Sequence, residues 1–350
     1  YGFCRSHAAA FAQTVYQSAY LKRHHPAAFL AAVMQHRPGM YGQMTLEEEA
    51  RRFDVPVLLP DVHRSGLRFD LERLESDLAI RKPLTVIDQL SEREARSIVW
   101  ERMREPFSSV EDLYRRVSVS RDALEALARS GALDELAGSS REALWEIGVL
   151  ANRLGPAGPS DQPSLFDVPA VTAADVPELP ELELDERLSW DYQTHRAARI
   201  HPMHLFRRSL TDLEIRPVEL CYRIDEETFP DATEPEPIVT TAGLVILRQR
   251  PSSANGVMFL TVEDETGFIQ CVVFPQYQEQ LGEILTRSSL IVRGRLQMKK
   301  NWRGLILTDA WVLDEAFGGY VGHPSSSGGR DRWMRAPESR RARLRNPEAS

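Results

Sequence analysis

Apolar residues recur at intervals of three and four along the start of the chain, which is the periodicity of an amphipathic helix. The first such segment spans residues 6–22, and Ser6 is placed to cap its N-terminus. Two further helices are predicted before residue 54. The second of these should begin at Thr45, because Thr45 and Glu48 have the spacing of a capping box.

The pattern then changes twice. Short apolar runs predict a small sheet, and after it residues 85–153 return to short helices separated by Gly131 and Gly138. Paired short helices with tight turns indicate a helix-hairpin-helix type of module. The predicted strands are residues 55–59, 67–71 and 78–81, and the predicted helices are residues 92–103, 110–117, 121–130 and 140–151.

From residue 238 onward the apolar residues alternate with polar ones, as they do in half-buried strands. Five strands are predicted, with one helix between the third and the fourth. This is the element order of an OB-fold, a small barrel that binds oligonucleotides. The predicted strands are residues 238–247, 257–263, 268–274, 290–298 and 305–313, and the helix covers residues 276–285.

The remaining stretches connect these regions. Residues 155–181 are rich in Pro, Gly, Asp and Ser, a composition that favours a flexible linker. A helical segment is predicted over residues 185–213, and a disordered basic tail after residue 317. We therefore predict a multidomain α+β protein, a helical region and helix-hairpin-helix region followed by an all-β barrel. Its expected divisions are residues 1–84, 85–154, 155–181, 182–237 (a helical connector), 238–317 and 318–350.

Composition narrows the class of protein. Hydrophobic content is 42%, and no run approaches the ~20 apolar residues that span a bilayer, so no membrane partner is expected. The three cysteines, Cys4, Cys221 and Cys271, form no CxxC pair, which predicts neither a zinc site nor a disulfide framework and fits a reducing cytoplasm. His201 and His204 share a helical face, but without an evident third ligand a structural role is favoured over a metal site.

Charge is distributed unevenly. The net charge of −8 alone argues against nucleic-acid binding, but residues 156–237 are acidic whereas residues 238–350 carry more Lys and Arg than Asp and Glu. We expect these blocks to form separate surfaces with separate partners.

The predicted barrel carries candidate nucleic-acid-binding residues where OB-folds bind ligands, on strands 2 and 3 and on the loops joining strands 1 to 2 and 4 to 5. These positions offer cations for phosphates and aromatic rings for bases, each stacked base contributing about 1–3 kcal/mol. The alternative is a solvated hairpin with Trp302 folded onto the barrel end, and Arg293 can equally be a surface residue. The candidates are Arg248, Arg250, Phe259, Arg293, Lys299, Lys300, Trp302 and Arg303.

The sequence also resembles a known family. The stretch YGFCRSHAAAFAQTVYQSAYLKRHHPAAFLAAV is similar to the fingers of bacterial C-family DNA polymerases, which include the DNA polymerase III alpha subunit and its error-prone relative. Later stretches resemble the family's fingers, helix-hairpin-helix and OB regions in the same order, and the error-prone branch is closer. These stretches are RPGMY, VPVLLPDVHRSG, EPFSSVEDLYRRV, ALEALARSGALDEL and GLVILRQRPSSANGVMFLTVEDETGFIQCVVFP.

The resemblance implies a DNA-directed DNA polymerase that uses two Mg²⁺ ions held by palm aspartates. The palm precedes the fingers in this family, so no residue here matches those aspartates, and the piece should be inactive alone, with no cofactor of its own. The chain begins at Tyr1 without an initiator Met, and we expect it to be part of a longer protein. By resemblance, Arg5, Ser6 and His7 approach the incoming nucleotide; the alternative is a cap for Ser6 and packing for His7.

Partners are implied as well. Gln162-Pro163-Ser164-Leu165-Phe166 resembles the pentapeptide by which bacterial polymerases bind the sliding clamp, with Gln162, Leu165 and Phe166 as the contacts. The alternative is a linker hydrophobe that docks on its own domain. DNA, as single-stranded template or primer-template, and other polymerase subunits are the further partners implied.

The helix-hairpin-helix region departs from the family pattern. Asp88-Gln89-Leu90-Ser91 stands where a Gly-hydrophobic-Gly turn would bind phosphate through its backbone N–H groups. Asp88 would repel phosphate, so we expect residues 85–153 to be mainly structural, with only Arg121 and Arg129 as candidate contacts.

Three hypotheses remain open from sequence. The first is a polymerase segment that binds template DNA and the sliding clamp. The second is a free-standing OB-fold accessory protein of replication or repair, which would have no use for the fingers-like first 40 residues. The third, an OB-containing aminoacyl-tRNA synthetase, lacks a visible nucleotide-binding motif.

Overall fold

A computed structural model describes residues 4–39, 41–75, 77–154, 179–228, 236–299 and 302–313. The chain forms two compact units, residues 1–199 and 200–350. The predicted tail lies outside the described residues, as does the predicted linker up to residue 178. No helix in the described part of the chain is long and apolar enough to cross a membrane.

The first unit begins with a helix that starts earlier than predicted. Cys4 occupies the N-cap position, and no side chain caps the helix. Ser6 is already its second residue, and the Ser6 Oγ lies 2.8 Å from the Cys4 Sγ. The prediction of Ser6 as N-cap is therefore wrong. The third helix likewise begins at Gln43 after Gly42, which places Thr45 inside the helix and makes the predicted Thr45 capping box wrong.

A three-stranded sheet and two helices share the first apolar cluster. The sheet has the order β1-β3-β2, in which β1 and β3 are parallel and β2 and β3 antiparallel. Leu30 and Met34 of the second helix pack with Ile80 of β3 in this cluster. The sequence predicted the small sheet. Its strands are β1 (Val57–Leu58), β2 (Asp70–Leu74) and β3 (Asp77–Arg81), and the preceding helices are α1 (Arg5–His24), α2 (Pro26–His36) and α3 (Gln43–Arg52).

Short helices form a second, larger cluster in the same unit. Leu113, Leu124 and Leu127 are fully buried there. Helices α4, α5 and α6 each begin at a serine cap, and at Ser91 the Glu94 side chain completes a capping box. The predicted helical region is confirmed, with ends within three residues of those expected. Its helices are α4 (Glu92–Arg104), α5 (Val110–Arg116), α6 (Arg121–Arg129), α7 (Asp134–Ala137) and α8 (Ser140–Leu154).

The helix predicted over residues 185–213 is not continuous. The observed helix α9 (Leu184–His195) stops at Arg196, whose φ of 56° is left-handed. Pro202 then opens a 3-10 turn before the next helix begins at Arg207. The division between the two units falls between Arg199 and Ile200, inside the predicted connector of residues 182–237.

The second unit contains a closed five-stranded barrel of order β4-β5-β6-β8-β7. The inward residues of all five strands form one apolar cluster, in which Leu260, Ile269 and Leu305 are fully buried. Strands approach closely at Gly243, where a Cβ atom would lie 2.3 Å from the Glu263 carbonyl oxygen. A glycine allows this close approach of the two backbones. The predicted OB-fold barrel is confirmed.

Helices cover three parts of the barrel. Val218 and Cys221 of α11 join its core from one side, and Leu281 at the end of α12 joins it from another. Leu210 of α10 packs with Ala242 and Ile291 on the outer surface of two neighbouring strands. The elements are α10 (Arg207–Asp212), α11 (Val218–Thr228), β4 (Ile238–Gln249), β5 (Met258–Asp264), β6 (Gly267–Val273), α12 (Pro275–Leu281), β7 (Ser289–Lys299) and β8 (Trp302–Val312).

Candidate nucleic-acid interface

The outer face of β5 and β6 carries two phenylalanines. Strand alternation turns Leu260 and Val262 into the core and leaves Phe259 on the outer side, as predicted. Phe259 is half-buried and pairs with Val272 of β6. On the same face of β6, Phe268 is 51% exposed. The two rings lie four residues apart along the paired strands, or about 13 Å at the usual rise per residue.

Phe268 is a candidate that the sequence analysis missed. Ile269, Cys271 and Val273 are buried in the barrel, so the even-numbered residues of β6 face outward. The same alternation that selected Phe259 on β5 would have selected Phe268 on β6. The two phenylalanines define what we call the aromatic face of the barrel.

Two loops flank the aromatic face at opposite ends of β6. The loop between β4 and β5 precedes Met258, which pairs with Val273 at the end of β6. The hairpin between β7 and β8 lies at the other end, because β8 runs parallel to β6 and Cys271 is level with Leu305. A single DNA strand that runs from one loop to the other therefore passes over both phenylalanines.

The predicted residues of the β7–β8 hairpin are only partly described. Lys299 and Trp302 pair in the last described register of the hairpin, although their side chains are outside the description. Lys300 lies outside the described residues altogether. Arg303 is exposed. Burial raises the pKa of Tyr222 of α11 to about 12, and the nearby positive charge of Arg303 opposes this rise.

The two arginines of the β4–β5 loop differ in what they contact. The Arg248 guanidinium donates to the Leu285 carbonyl oxygen at 2.9 Å and also to the Arg287 carbonyl. Partial burial lowers its pKa. Arg248 therefore ties the end of β4 to the segment after α12, which leaves fewer of its N–H groups for a phosphate. Arg250 is exposed and makes no hydrogen bond or ion pair with any described residue.

Arg293 lies away from the aromatic face. It is half-buried on β7, which pairs with β4 and β8 but not with β5 or β6. A DNA strand that follows β5 and β6 reaches Arg293 only by continuing across β8 or across β4. The structure thus does not bring Arg293 together with Phe259 and Arg250.

In the turn that opens the helix-hairpin-helix region, backbone N–H groups already donate hydrogen bonds to acceptors within the protein. The Asp88 N–H donates to the Thr194 carbonyl at 2.6 Å, and the Ser91 N–H donates to the Glu94 carboxylate at 2.9 Å. Gln89 has a φ of 72°, so the turn keeps a left-handed residue without a glycine. This arrangement supports a structural role for the turn. The other candidates of this region, Arg121 and Arg129, both pair with Glu125.

The remaining candidates are at the first helix and in the linker. Arg5, Ser6 and His7 are exposed in the first turns of α1, and the His7 ring meets the Phe11 ring edge-on at 4.5 Å. Gln162, Leu165 and Phe166 lie outside the described residues. Among the residues that are described, no group of three His, Cys, Asp or Glu can hold a metal ion, so they do not fit a two-metal site.

Two family models match the chain. A helix-hairpin-helix motif matches residues 54–144, and an OB-fold nucleic acid binding domain matches residues 239–309. The second match coincides with the barrel. Among solved structures, asparaginyl-tRNA synthetase from Pyrococcus horikoshii aligns with 23% of this chain at 23% identity, and the TM-score of 0.20 is too low to carry a conclusion.

Three relatives cover the chain far more fully. Error-prone DNA polymerases from Cutibacterium acnes, Dechloromonas aromatica and Teredinibacter turnerae are 34%, 38% and 37% identical, each over 85% of this chain. The matches span only 28%, 27% and 28% of those proteins. The resemblance to the error-prone branch is confirmed, and the order of the two domains is consistent with the C-terminal part of a C-family polymerase. Over 85% of its length the chain is therefore similar to error-prone DNA polymerases, and it spans little more than a quarter of their length.

Proposed function

We propose that this chain is a DNA-binding segment of an error-prone DNA polymerase and that its barrel holds single-stranded template. The observation that carries this proposal is the aromatic face, where Phe268 is 51% exposed on β6 and the half-buried Phe259 faces the same side on β5. Outward-facing rings on adjacent strands offer stacking surfaces for bases, whatever their sequence. The flanking Arg250 supplies a cation for the backbone.

The net charge of −8 does not contradict this proposal. Several acidic groups of the second unit are already paired: Arg207 donates to Asp264 and to Glu265 beside the β5–β6 turn. Local cations rather than total charge decide the attraction of a phosphate, since interactions beyond about 10 Å are screened at ordinary salt. The accessory-protein alternative is less well supported, because the similarity to polymerases runs through both units.

The contribution of Arg250 can be measured through salt dependence. Replacing one phosphate-contacting arginine should make the negative slope of log affinity against log salt concentration shallower by about 0.7 for single-stranded DNA. We expect Arg250→Ala to show this change in fluorescence anisotropy with a labelled single-stranded oligonucleotide. Arg208→Ala is the matched control, because Arg208 is an exposed arginine of α10 on the covered side of the barrel. An unchanged slope in Arg250→Ala would remove this residue from the interface.

Activities of the whole polymerase are further proposals, because the chain spans little more than a quarter of its relatives. We propose that the parent protein synthesises DNA in the cytoplasm with Mg²⁺ ions, together with other polymerase subunits. Arg5, Ser6 and His7 would then lie near the incoming nucleotide. Their exposure at the start of α1 supports this placement, since a cationic guanidinium and a hydroxyl there suit a triphosphate.

We also propose that residues 162–166 bind the sliding clamp, with Leu165 and Phe166 in an apolar groove and Gln162 in a hydrogen bond. Changing Leu165 and Phe166 to Ala should weaken clamp binding roughly 30-fold, because buried apolar anchors dominate such interfaces. Surface plasmon resonance on an immobilised bacterial clamp measures this change. Val168→Ala, a nearby apolar truncation outside the pentapeptide, is the control. Equal affinities for the double variant and the unmodified chain would reject the assignment.

A further inference from the structure

Helix α9 and the residues after it, 184–199, make a set of polar contacts with other elements of the first unit. We call these residues the α9 segment. Leu188, Ala197 and Ala198 are buried, yet none of them belongs to either apolar cluster of the unit. The charged and hydrogen-bonding groups of the segment contact elements of both clusters.

A buried ion pair lies at the centre of this attachment. The Lys82 Nζ is 2.8 Å from the Glu47 Oε2, and the two side chains are 2% and 0% exposed. The same Nζ lies 3.4 Å from the Nδ1 of His195, in the last turn of α9. Burial, together with the positive charge of Lys82, lowers the pKa of His195 to about 3, so its ring is neutral at physiological pH. A neutral ring can accept a hydrogen bond from the ammonium group at Nδ1.

A second pair closes the end of the segment. The Arg199 guanidinium binds the buried Asp191 carboxylate in a bidentate manner, at 2.8 and 2.9 Å. The Arg199 backbone N–H donates to the same carboxylate at 2.9 Å. Bidentate pairs of this kind fix geometry as well as adding energy. They hold the residues after α9 against the helix that precedes them.

Contacts of the segment reach elements from both apolar clusters. Arg51 of α3 donates to the Ala198 carbonyl at 2.9 Å, on the side of the small sheet. On the side of the short helices, Arg141 of α8 pairs with Glu186 at 2.5 Å. The Asp88 N–H reaches the Thr194 carbonyl from the turn before α4. The α9 segment thus spans the small-sheet part and the short-helix part of the unit.

We propose that the α9 segment is an ionic clasp, a separable element that holds the small-sheet part and the short-helix part of the unit in one arrangement. Through His195 it docks on the buried Glu47–Lys82 pair of the small-sheet part, and through Glu186 and Thr194 it docks on the short-helix part. Each part has its own apolar cluster, so each keeps its own core when the clasp opens. The geometry of such an ionic attachment is specific. The attachment opens as a unit, because a buried charge that loses its partner is unfavourable by a large free energy.

Hydrogen exchange of the full chain, followed by mass spectrometry, tests the clasp. Lys82→Met and Glu47→Gln each remove one charge and leave its partner buried. We expect either change to speed exchange in residues 184–199 by about 100-fold, with little change in α2, α6 and α8. The double variant removes both charges at nearly constant volume, and it should return exchange to within about tenfold of the unmodified chain. Gln193→Ala is the control on the same helix, since Gln193 is exposed and its side chain donates to Ser189 of α9 itself.

Three outcomes would overturn the clasp. Exchange that rises equally in α2, α6 and α8 would show that the segment is not separable from the cores. Unchanged exchange in both single variants would show that the ion pair does not hold the segment. If exchange in the double variant were as fast as in the single variants, an unpaired buried charge would not be the cause of their faster exchange.

Discussion

Replacing Phe259 and Phe268 together by alanine should weaken single-stranded DNA binding about 100-fold, because each aromatic ring contributes about 1–3 kcal/mol to a stacked base. Each single variant should lose about tenfold, since the two rings lie on neighbouring strands and serve different bases. Both side chains are on the outer face, so their removal leaves the apolar core of the barrel intact. Fluorescence anisotropy with a labelled oligothymidine measures the affinities.

Trp100→Ala is the matched control for this experiment. Trp100 is an exposed aromatic residue of α4 in the first unit, 67% exposed, and its loss removes a ring without touching the barrel. Trp302→Ala extends the test to the β7–β8 hairpin. If the double phenylalanine variant binds as tightly as the unmodified chain while Trp302→Ala does not, the strand follows the hairpin rather than the aromatic face.

Asp264→Ala should destabilise the barrel by about 3 kcal/mol, because it leaves several buried donors without an acceptor. The Asp264 side chain is fully buried at the β5–β6 turn. It accepts hydrogen bonds from the backbone N–H groups of Val218, Thr266 and Gly267, and it pairs with Arg207. One carboxylate thereby joins the turn to the start of α11 and to α10.

Hydrogen exchange in β4–β8 measures this loss within the second unit, where about 3 kcal/mol corresponds to exchange more than 100-fold faster. Glu283→Ala is the control, an exposed carboxylate in the same unit. Asp264→Asn should lie between the two, because the amide still accepts hydrogen bonds but no longer pairs with the Arg207 charge. Unaltered exchange in Asp264→Ala would mean that the turn and α11 hold together without this carboxylate.

The two experiments separate binding from folding. A phenylalanine variant with normal exchange in β4–β8 and weak affinity has lost contacts with DNA. An Asp264 variant with weak affinity and fast exchange has lost the surface that carries those contacts. Arg248 belongs with the second group, since its contacts with the Leu285 and Arg287 carbonyls hold the barrel together.

Local patterns determined the elements of this protein. The alternation of apolar residues from 238 to 313 predicted five strands and one helix, and all of them are present. The strand ends lie within three residues of those expected, whereas α12 ends at Leu281, four residues early, and a 3-10 helix (Gly282–Thr286) continues from it. The alternation predicts strands correctly here because one face of each strand is buried. The position of a residue in the strand therefore predicts whether its side chain faces the core or the outside. The resemblance to C-family polymerases was equally visible, because it rests on long ordered stretches rather than on a single motif.

The starts of α1 and α3 were less predictable than those of the other helices. Ser6 and Thr45 have the side chains that a cap requires, yet both lie inside helices that begin earlier. A side-chain cap stabilises a helix by only about 1 kcal/mol, so a few additional hydrogen-bonded or packed helical residues can outweigh it. The end of α9 at Arg196 was missed for a related reason, since a left-handed arginine has no sequence signal of its own.

Only the tertiary structure decided which polar groups are already in use. The sequence shows cations at Arg248 and Lys82, but their partners are the carbonyls after α12 and the carboxylate of Glu47, which are distant along the chain. Hydrogen bonds and ion pairs depend on distances of a few ångströms between such segments, and those distances arise only when the chain is folded. The sequence by itself therefore determined the barrel and the resemblance to error-prone polymerases, whereas folding decided that Arg248, unlike Arg250, uses its guanidinium donors within the barrel.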